Sequence, residues 1–275
     1  MPEGHVIHRY ARSHREALGG QRVKASSPQG RFAAGAELID GRRLESVDAH
    51  GKHLFYRWEG GTTLHVHLGL FGRFRIHRSS PPPPTDATRL ALSTGGVVVY
   101  LSGPTVCEMI DPGTEEVLRA RLGPDPLVPG KRNGVAPSEA FVANMARRSI
   151  PAGAALLDQR VIAGLGNIYR AEALFLEGID PHLPAKKIDP GRTLDLWDTS
   201  VQLLRRGVRS GRIVTVDPDE VGVPRRSDLG RNERLYVYKR QGEPCRRCAT
   251  VVKRTEVANR LLWWCPSCQP TGAGS

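Results

Sequence analysis

The sequence predicts an α+β chain: a β-sandwich first, helices after it, and a small metal-bound module near the C-terminus. Three observations predict this. Residues 21–111 break into short β segments at glycine turns, the pattern of an all-β sandwich or barrel-like layer. From residue 138 onward the apolar residues recur at helical spacing. Near the end, two Cys-x-x-Cys pairs stand sixteen residues apart. With 275 residues and 39% hydrophobic content, the chain is long enough for two cores.

The first element expected is a helix over residues 3–18. Val6, Ile7, Tyr10, Ala11, His14, Ala17 and Leu18 recur at steps of three and four, and Gly19-Gly20 stops it. Short strands are then expected at 38–39, 44–47, 53–58, 63–68, 74–77, 88–92 and 97–101, with turns at Gly51, Gly60-Gly61, Gly72 and Gly95-Gly96. The flanking helices give the sandwich its α component. Pro81 to Pro84 form a stiff exposed loop. Residues 115–121 read as a short helix and 123–133, rich in Pro and Gly, as a linker. This places a first domain over 1–125, a helical one over 134–234 and a cysteine module over 235–270.

In the helical part, residues 138–147 form one helix with Ser138 as its cap. Helical runs follow on either side of a compact Gly164-x-Gly166-Asn167 turn, which opens a new helix at Ile168. Exposed N–H groups at such a start suit a phosphate. Residues 190–208 give another helix, with Leu194, Leu196, Trp197, Val201, Leu204 and Val208 inward. Residues 209–234, with six arginines among Gly, Pro, Asp and Asn, read as a long mobile loop. Leu235 to Tyr238 then read as a strand.

Cys245, Cys248, Cys265 and Cys268 match a structural zinc site of four thiolates, one Zn2+ per chain. Four cysteine ligands leave no open position, so the metal holds shape. Two pairs make a redox dithiol the weaker reading. Lys253, Arg254 and Arg260 lie between the pairs, so the metal would stiffen a basic hairpin suited to a phosphate backbone. Ribbons of this kind also mediate protein contacts. Cys107 stands alone and reads as a small buried residue.

Forty Lys and Arg against 28 Asp and Glu give a net charge of +12, which favours a polyanionic partner, most simply nucleic acid. No apolar run reaches the ~18 residues of a membrane span, no strongly amphipathic basic helix stands out, and the N-terminus lacks a signal-peptide pattern. We therefore expect a cytoplasmic, nucleoid-associated protein of bacterial type, monomeric and without a membrane partner.

Three further features bear on chemistry. If Met1 is removed, Pro2 becomes a secondary amine at a helix start, beside the carboxylate of Glu3. The helix dipole disfavours charge on that amine, and a neutral amine attacks a sugar carbon to give an iminium. Taken alone, Pro and Glu also simply suit a first helical turn. Lys52 sits at a turn entering a strand, where a lysine is ordinarily a solvated surface group. His65 and His67 share a strand face, yet no acidic or cysteine partner is near in sequence, which disfavours a metal there. In Leu68-Gly69-Leu70-Phe71-Gly72, two large apolar residues occupy a turn. This is either a packed hairpin end or a wedge for stacked bases.

Taken in order, Pro2-Glu3, Gly51-Lys52, the run from Leu157-Asp158-Gln159 through Gly164-Leu165-Gly166-Asn167-Ile168-Tyr169, and the four cysteines resemble the formamidopyrimidine-DNA glycosylase/endonuclease VIII family. The resemblance spans nearly the whole chain. The opening Pro-Glu-Gly-His looks like the endonuclease VIII branch. It implies a β-sandwich flanked by helices, a helical domain with a helix–two-turn–helix motif and a zinc finger, with damaged DNA in a basic cleft between the domains. It further implies that Pro2 is the nucleophile forming a Schiff base at C1′ and Glu3 the acid/base. Lys52 would contact phosphate and assist elimination, and Asn167 and Arg260 would bind phosphates flanking the lesion. Leu70 and Phe71 match the wedge, with Gly69 where a polar wedge residue is typical, and residues 209–234 match the variable region over the flipped base. The implied activity is removal of oxidised bases, pyrimidines preferred, with strand cleavage by β,δ-elimination. The rivals are a same-fold glycosylase for oxidised purines and a non-catalytic damaged-DNA binder. A ribosome- or polymerase-associated zinc ribbon fits charge and cysteines but leaves the N-terminal motif unexplained.

Overall fold

The computed structural model describes residues 2–272. The chain divides into two compact units, residues 1–121 and 122–275. Among the described residues, no helix is long and apolar enough to cross a membrane.

The first unit opens with helix α1 (Gly4–Leu18), which buries Ile7, Ala11, His14 and Leu18. Helix α2 (Ala33–Ile39) follows strand β1 (Lys24–Ser26). Strands β2 (Leu44–His50), β3 (His53–Trp58), β4 (Thr62–His67) and β8 (Val106–Ile110) form one antiparallel sheet in that order. A second sheet runs β1, β6 (Thr88–Thr94), β7 (Val97–Ser102), β5 (Arg73–Arg78). Val47, Leu54, Tyr56, Leu64 and Val66 of the first share a core with Phe74, Leu90, Leu92, Val99 and Leu101 of the second, joined by Ile7 and Leu18 of α1. Two antiparallel sheets with a common apolar interior make a sandwich, and α1 closes part of it.

On β3, Leu54, Phe55 and Tyr56 are all buried, which breaks the usual alternation. The cause is helix α3 (Pro112–Arg121). Its Arg119 guanidinium sits 4.0 Å over the Phe55 ring, and its Glu115 accepts from Thr63 Oγ1 at 2.9 Å and from Arg57. The outer face of this sheet is therefore covered as well.

The second unit holds helices α4 (Pro137–Ala146), α5 (Ala152–Ala155), α6 (Asn167–Leu176) and α7 (Pro190–Ser210), then the hairpin β9 (Lys253–Val257)–β10 (Arg260–Trp264). Asp189 caps α7 by accepting the Gly191 and Arg192 N–H groups, Pro190 begins it, and Gly211 at φ 70° ends it. One core gathers Phe141, Met145, Leu165, Tyr169, Leu196 and Leu204. Another joins Phe175 of α6 to Tyr236, Cys245 and Trp263 of the cysteine module.

Several sequence expectations change. Residues 38–39 end a helix, because Ala36 and Ile39 bury one helical face. Two apolar residues before a glycine do not separate strand from helix. Ser138 is not the cap of α4: Pro137 begins it, and the Glu139 carboxylate reaches back to the Ala136 N–H at 3.0 Å. Residues 161–164 are turns and bends, 165–166 are irregular, and α6 begins at Asn167. Residues 235–238 are not a strand. The N–H groups of Tyr236, Val237 and Tyr238 converge on the buried Glu172 carboxylate at 2.8, 2.9 and 2.9 Å, so a carboxylate replaces the sheet partner. Within residues 209–234, expected as a mobile loop, the backbone forms two 3-10 turns at Asp219–Val221 and Arg226–Asp228. Arg226 pairs with Asp217 at 3.0 Å and Glu220 receives both arms of Arg247, so this stretch is tied to the cysteine module.

Candidate functional site

In the first unit, Glu3 is fully buried and Pro2 half-buried at the entrance to α1. Met1 lies outside the described residues. Glu3 has an extended backbone (φ −114°), and its carbonyl accepts the Val6 N–H at 2.9 Å. In the next turn, burial, aided by Arg9, pushes His5 down to about 4. Burial likewise pushes His14, bonded through Nδ1 to the Tyr56 hydroxyl at 2.6 Å, down to about 3.

Helix α1 runs against β2. The Gly20 N–H meets Leu44 O at 2.8 Å just past the helix end, and Arg15 Nε reaches Val47 O at 2.9 Å. From Gly20 back to Gly4, the helix rises about 24 Å at ~1.5 Å per residue. The same length of strand, at ~3.3 Å per residue, ends about seven residues past Leu44, at the 51–52 hairpin tip. Opposed directions thus send Pro2 and Glu3 toward the end of the sandwich that carries the 51–52 tip. Gly51 turns the tip at φ 58°.

The same end of the sandwich carries the apolar turn. His53 pairs with His67 across β3 and β4, so the segment 68–72 leaves the sheet beside the Lys52 hairpin. The Lys52 charge acts on both His53 and His67, helping to lower them. Leu70 is 48% exposed and Phe71 82%, so the reading as a packed hairpin end gives way to a presented apolar pair. Gly69 has φ 63°, and a Cβ there would meet Thr105 Oγ1 at 1.8 Å. That is why this position holds no side chain.

In the second unit, Gln159 folds the turn before α6. Its Nε2 donates to Leu157 O and Leu165 O, both at 3.1 Å, and its Oε1 accepts the Gly164 N–H at 2.9 Å, with Gly164 at φ 96°. Asn167 then begins α6, and its Nδ2 donates to Leu261 O of β10 at 3.0 Å. The buried Arg170 bridges Gly153 O at 2.7 Å, Arg260 O at 3.3 Å and Leu261 O at 3.2 Å. The start of α6 and the exposed Arg260 are therefore held side by side.

The four cysteine Sγ atoms lie within 4.8 Å of one another. Three of the sulfur pairs stand 3.8, 3.5 and 3.4 Å apart, far beyond a disulfide bond of about 2.05 Å. A tetrahedron of ~2.3 Å metal–sulfur bonds has edges of about 3.8 Å. The cluster therefore fits a tetrahedral ion, and it is the one such group among the described residues.

Three family models match along the chain: the formamidopyrimidine-DNA glycosylase N-terminal domain over residues 1–104, its H2TH domain over 122–218, and the zinc finger found in FPG and IleRS over 242–271. The chain is 43% identical over 274 residues to "Endonuclease 8 1" of Mycobacterium tuberculosis, covering 98% of this chain and 100% of that protein. The chain belongs to the formamidopyrimidine-DNA glycosylase/endonuclease VIII family. It is also 33% identical to the "DNA-(apurinic or apyrimidinic site) lyase Nei2" of Mycolicibacterium smegmatis, over 98% of this chain and 99% of that one. Among solved structures, the MutM (Fpg) protein of Thermus thermophilus aligns at a TM-score of 0.75 and 32% identity, covering 98% of this chain and 100% of that one. Within the family, the chain is endonuclease VIII-like.

Of the residues singled out from the sequence, this glycosylase-family fold collects Pro2, Glu3, Lys52, Leu70 and Phe71 at one end of the first unit. It holds Asn167 against β10, the strand that Arg260 begins, in the second. Sequence reasoning missed Gln159 as a fold-determining side chain, and it missed Arg170 and Glu172. Two charges inside the apolar run of α6 were the available signal, since buried charges need partners. It also missed the acidic partner of His65. Glu108 on β8 lies 2.9 Å from His65 Nδ1, a contact made by strand order and not by proximity in sequence.

Proposed function

We infer that this chain is a bifunctional DNA glycosylase and AP lyase of base-excision repair, and that one end of the β-sandwich carries the chemistry. The observations that support this most are the buried Glu3 at the start of α1 and the exposed Leu70 and Phe71, which leave the sheet beside the Lys52 hairpin. In this reading the Pro2 amine, freed by removal of Met1, attacks C1′ of the damaged nucleotide. The C1′–base bond breaks and the base leaves with a proton, supplied as Glu3 handles protons at the sugar. The sugar ring then opens as the C1′–O4′ bond breaks and O4′ takes a proton, and the resulting iminium acidifies C2′–H. Loss of that proton breaks the C3′–O bond in a β-elimination, and a δ-elimination then releases the 5′ side. A one-nucleotide gap with phosphate ends remains.

The reactive carbon lies inside the base stack, so the nucleotide must be flipped out, at a cost of a few kcal/mol. Leu70 and Phe71 would fill the gap. Lys52, Asn167 and Arg260 would hold phosphates around the lesion. The ion at Cys245, Cys248, Cys265 and Cys268 is zinc in this reading, and its chemistry is structural: it fixes the hairpin that carries Arg260. The three regions would divide the labour, with 1–125 catalytic, 134–234 gripping DNA through a helix–two-turn–helix and 235–270 gripping it through the finger. The preferred lesions are oxidised pyrimidines. A panel of duplexes with single lesions checks that preference, and faster release of oxidised purines would reverse it.

Borohydride trapping on an abasic duplex, read by intact mass, tests the reaction. The expected product is one covalent adduct on a chain lacking Met1. Pro2→Gly should impair trapping far more than Arg260→Ala does at low salt. Absence of any adduct from the processed protein leaves a damaged-DNA binder. Equal losses in the two variants would remove Pro2 from its assigned role.

A further inference from the structure

The second unit carries a basic cavity that the reaction above leaves unused. It has a volume of about 390 Å³ and is lined by Arg206, Arg209, Arg212 and Arg226, with two serines and Val214 and no carboxylate. Two separate stretches of chain build it. Arg206 and Arg209 stand three residues apart near the end of α7, so they share a helix face. Gly211, at φ 70°, ends the helix, and Ser210 Oγ accepts the Arg212 N–H at 3.2 Å, which keeps Arg212 at that end. Arg226 comes from the 3-10 turn Arg226–Asp228 and is fixed by its ion pair with Asp217 at 3.0 Å.

The charges here are out of balance. A neighbouring cavity shares Arg206 and Arg226 and contains three carboxylates, Glu177, Asp217 and Glu220. Each of these is already engaged. Glu177 accepts from the Thr199 hydroxyl, Asp217 holds Arg226, and Glu220 receives both arms of Arg247 at 3.0 and 3.1 Å. Arg206, half-buried, closes no ion pair among the described residues. Burial and the facing charges of Arg226 and Arg209 push it below the usual arginine range, and Asp217 offsets only part of that. It stays protonated all the same. The Nε–H of Arg226 is buried without an acceptor. The dipole of α7 favours cations in its last turn, which accounts for Arg209. It does not account for Arg226, which another segment brings in. Four guanidinium groups around one hollow repel each other, and an anion among them turns that repulsion into attraction.

We propose that this cavity binds a phosphate group, held between Arg206 and Arg226, at a site separate from Asn167 and Arg260. Planar guanidinium forks match phosphate oxygens two at a time, which a point charge does not. The volume lies at the lower end of the roughly 300–1,000 Å³ usual for small-ligand clefts. Neither cavity is lined by Asn167 or Arg260. The neighbouring one touches Leu176 and Glu177, at the end of α6 opposite Asn167, and the ten residues of that helix span about 15 Å. The phosphate comes either from a DNA backbone beyond the lesion or from free phosphate, and the chemistry that recognises it is the same. The site does not depend on the chemistry at Pro2.

Arginine side-chain signals report on the site directly. In the zinc-loaded full chain, the Nε–H resonances of Arg206 and Arg226 should shift and saturate on titration with inorganic phosphate, and not with chloride at equal ionic strength. Arg206→Gln should weaken phosphate binding about tenfold, the order of one charge-assisted hydrogen bond. Arg205→Gln removes the same charge from an exposed neighbour that does not line the cavity, and it should leave binding nearly unchanged. Binding to DNA separates the two sources. For a backbone phosphate, Arg206→Gln should lower the slope of log K against log salt by about one on a long duplex and not on a short one centred on the lesion. An unchanged slope on both, with saturable shifts in phosphate, assigns the cavity to free phosphate. Equal losses from Arg205→Gln and Arg206→Gln would overturn the site, because net charge alone would then explain them. Shifts that fail to saturate, together with an unchanged slope on the long duplex, would overturn it too. A lowered slope on both lengths would place the cavity within the lesion grip and overturn its separateness.

Discussion

At the scale of single residues, small steric facts decide how the site end is built. Gly69 combines a left-handed backbone with a Cβ position occupied by Thr105 Oγ1. Gly69→Ala should therefore cost about 2 kcal/mol, from backbone strain plus overlap. Thr105→Ala should recover part of that loss in denaturant unfolding, because it removes the overlap and leaves the strain. His14 offers a second test. The unfolded chain binds its proton near the ordinary value of 6.5, whereas the buried imidazole binds it only at about 3. Its contribution to stability is therefore complete above pH 6.5 and is lost as pH falls toward 3, by up to about 1.4 kcal/mol per pH unit. Thermal melts across that window should show the slope, and His14→Gln should flatten it. His5, pushed down to about 4, acts in the same direction over a narrower range.

At the scale of elements, the cysteine hairpin depends on its ion. Its two strands pair over only five residues each, too little for an independent sheet. A four-thiolate ion supplies the missing stability. Chelation should therefore unfold β9–β10, lower the melting temperature and weaken DNA binding, with recovery on adding zinc. Metal analysis should return one zinc per chain. Unchanged melting after complete removal of the metal would mean that the core around Tyr236 and Trp263 suffices alone. The helix α6 shows what was legible and what was not. The Gly164-x-Gly166-Asn167 turn announced a helix start, and the structure begins it at Asn167. Its buried Arg170 and Glu172 bind backbone groups of Gly153, Arg260 and residues 236–238, and backbone carbonyls and amides carry no letter in a sequence.

At the scale of the whole molecule, the excess of 12 positive charges favours a polyanionic partner. Binding to an abasic duplex should weaken steeply with salt. Arg260→Ala should reduce the slope of log K against log salt by about one, evenly across DNA sequences. A loss confined to one sequence would assign Arg260 to base reading instead.

The order of residues was enough for the class of fold, the thiolate cluster, the helix-start Pro2-Glu3 and the apolar pair at 70–71. These signals are local: residue spacing, periodicity and turn chemistry act within a few positions. It took the folded chain to show that α1 runs against β2, so that its start lies toward the 51–52 tip, that Asn167 meets the Arg260 strand through Leu261 O, and that Glu108 meets His65 and His65 meets His53. Such contacts depend on strand order, register and chain direction, which arise when two sheets and their helices bury a common core.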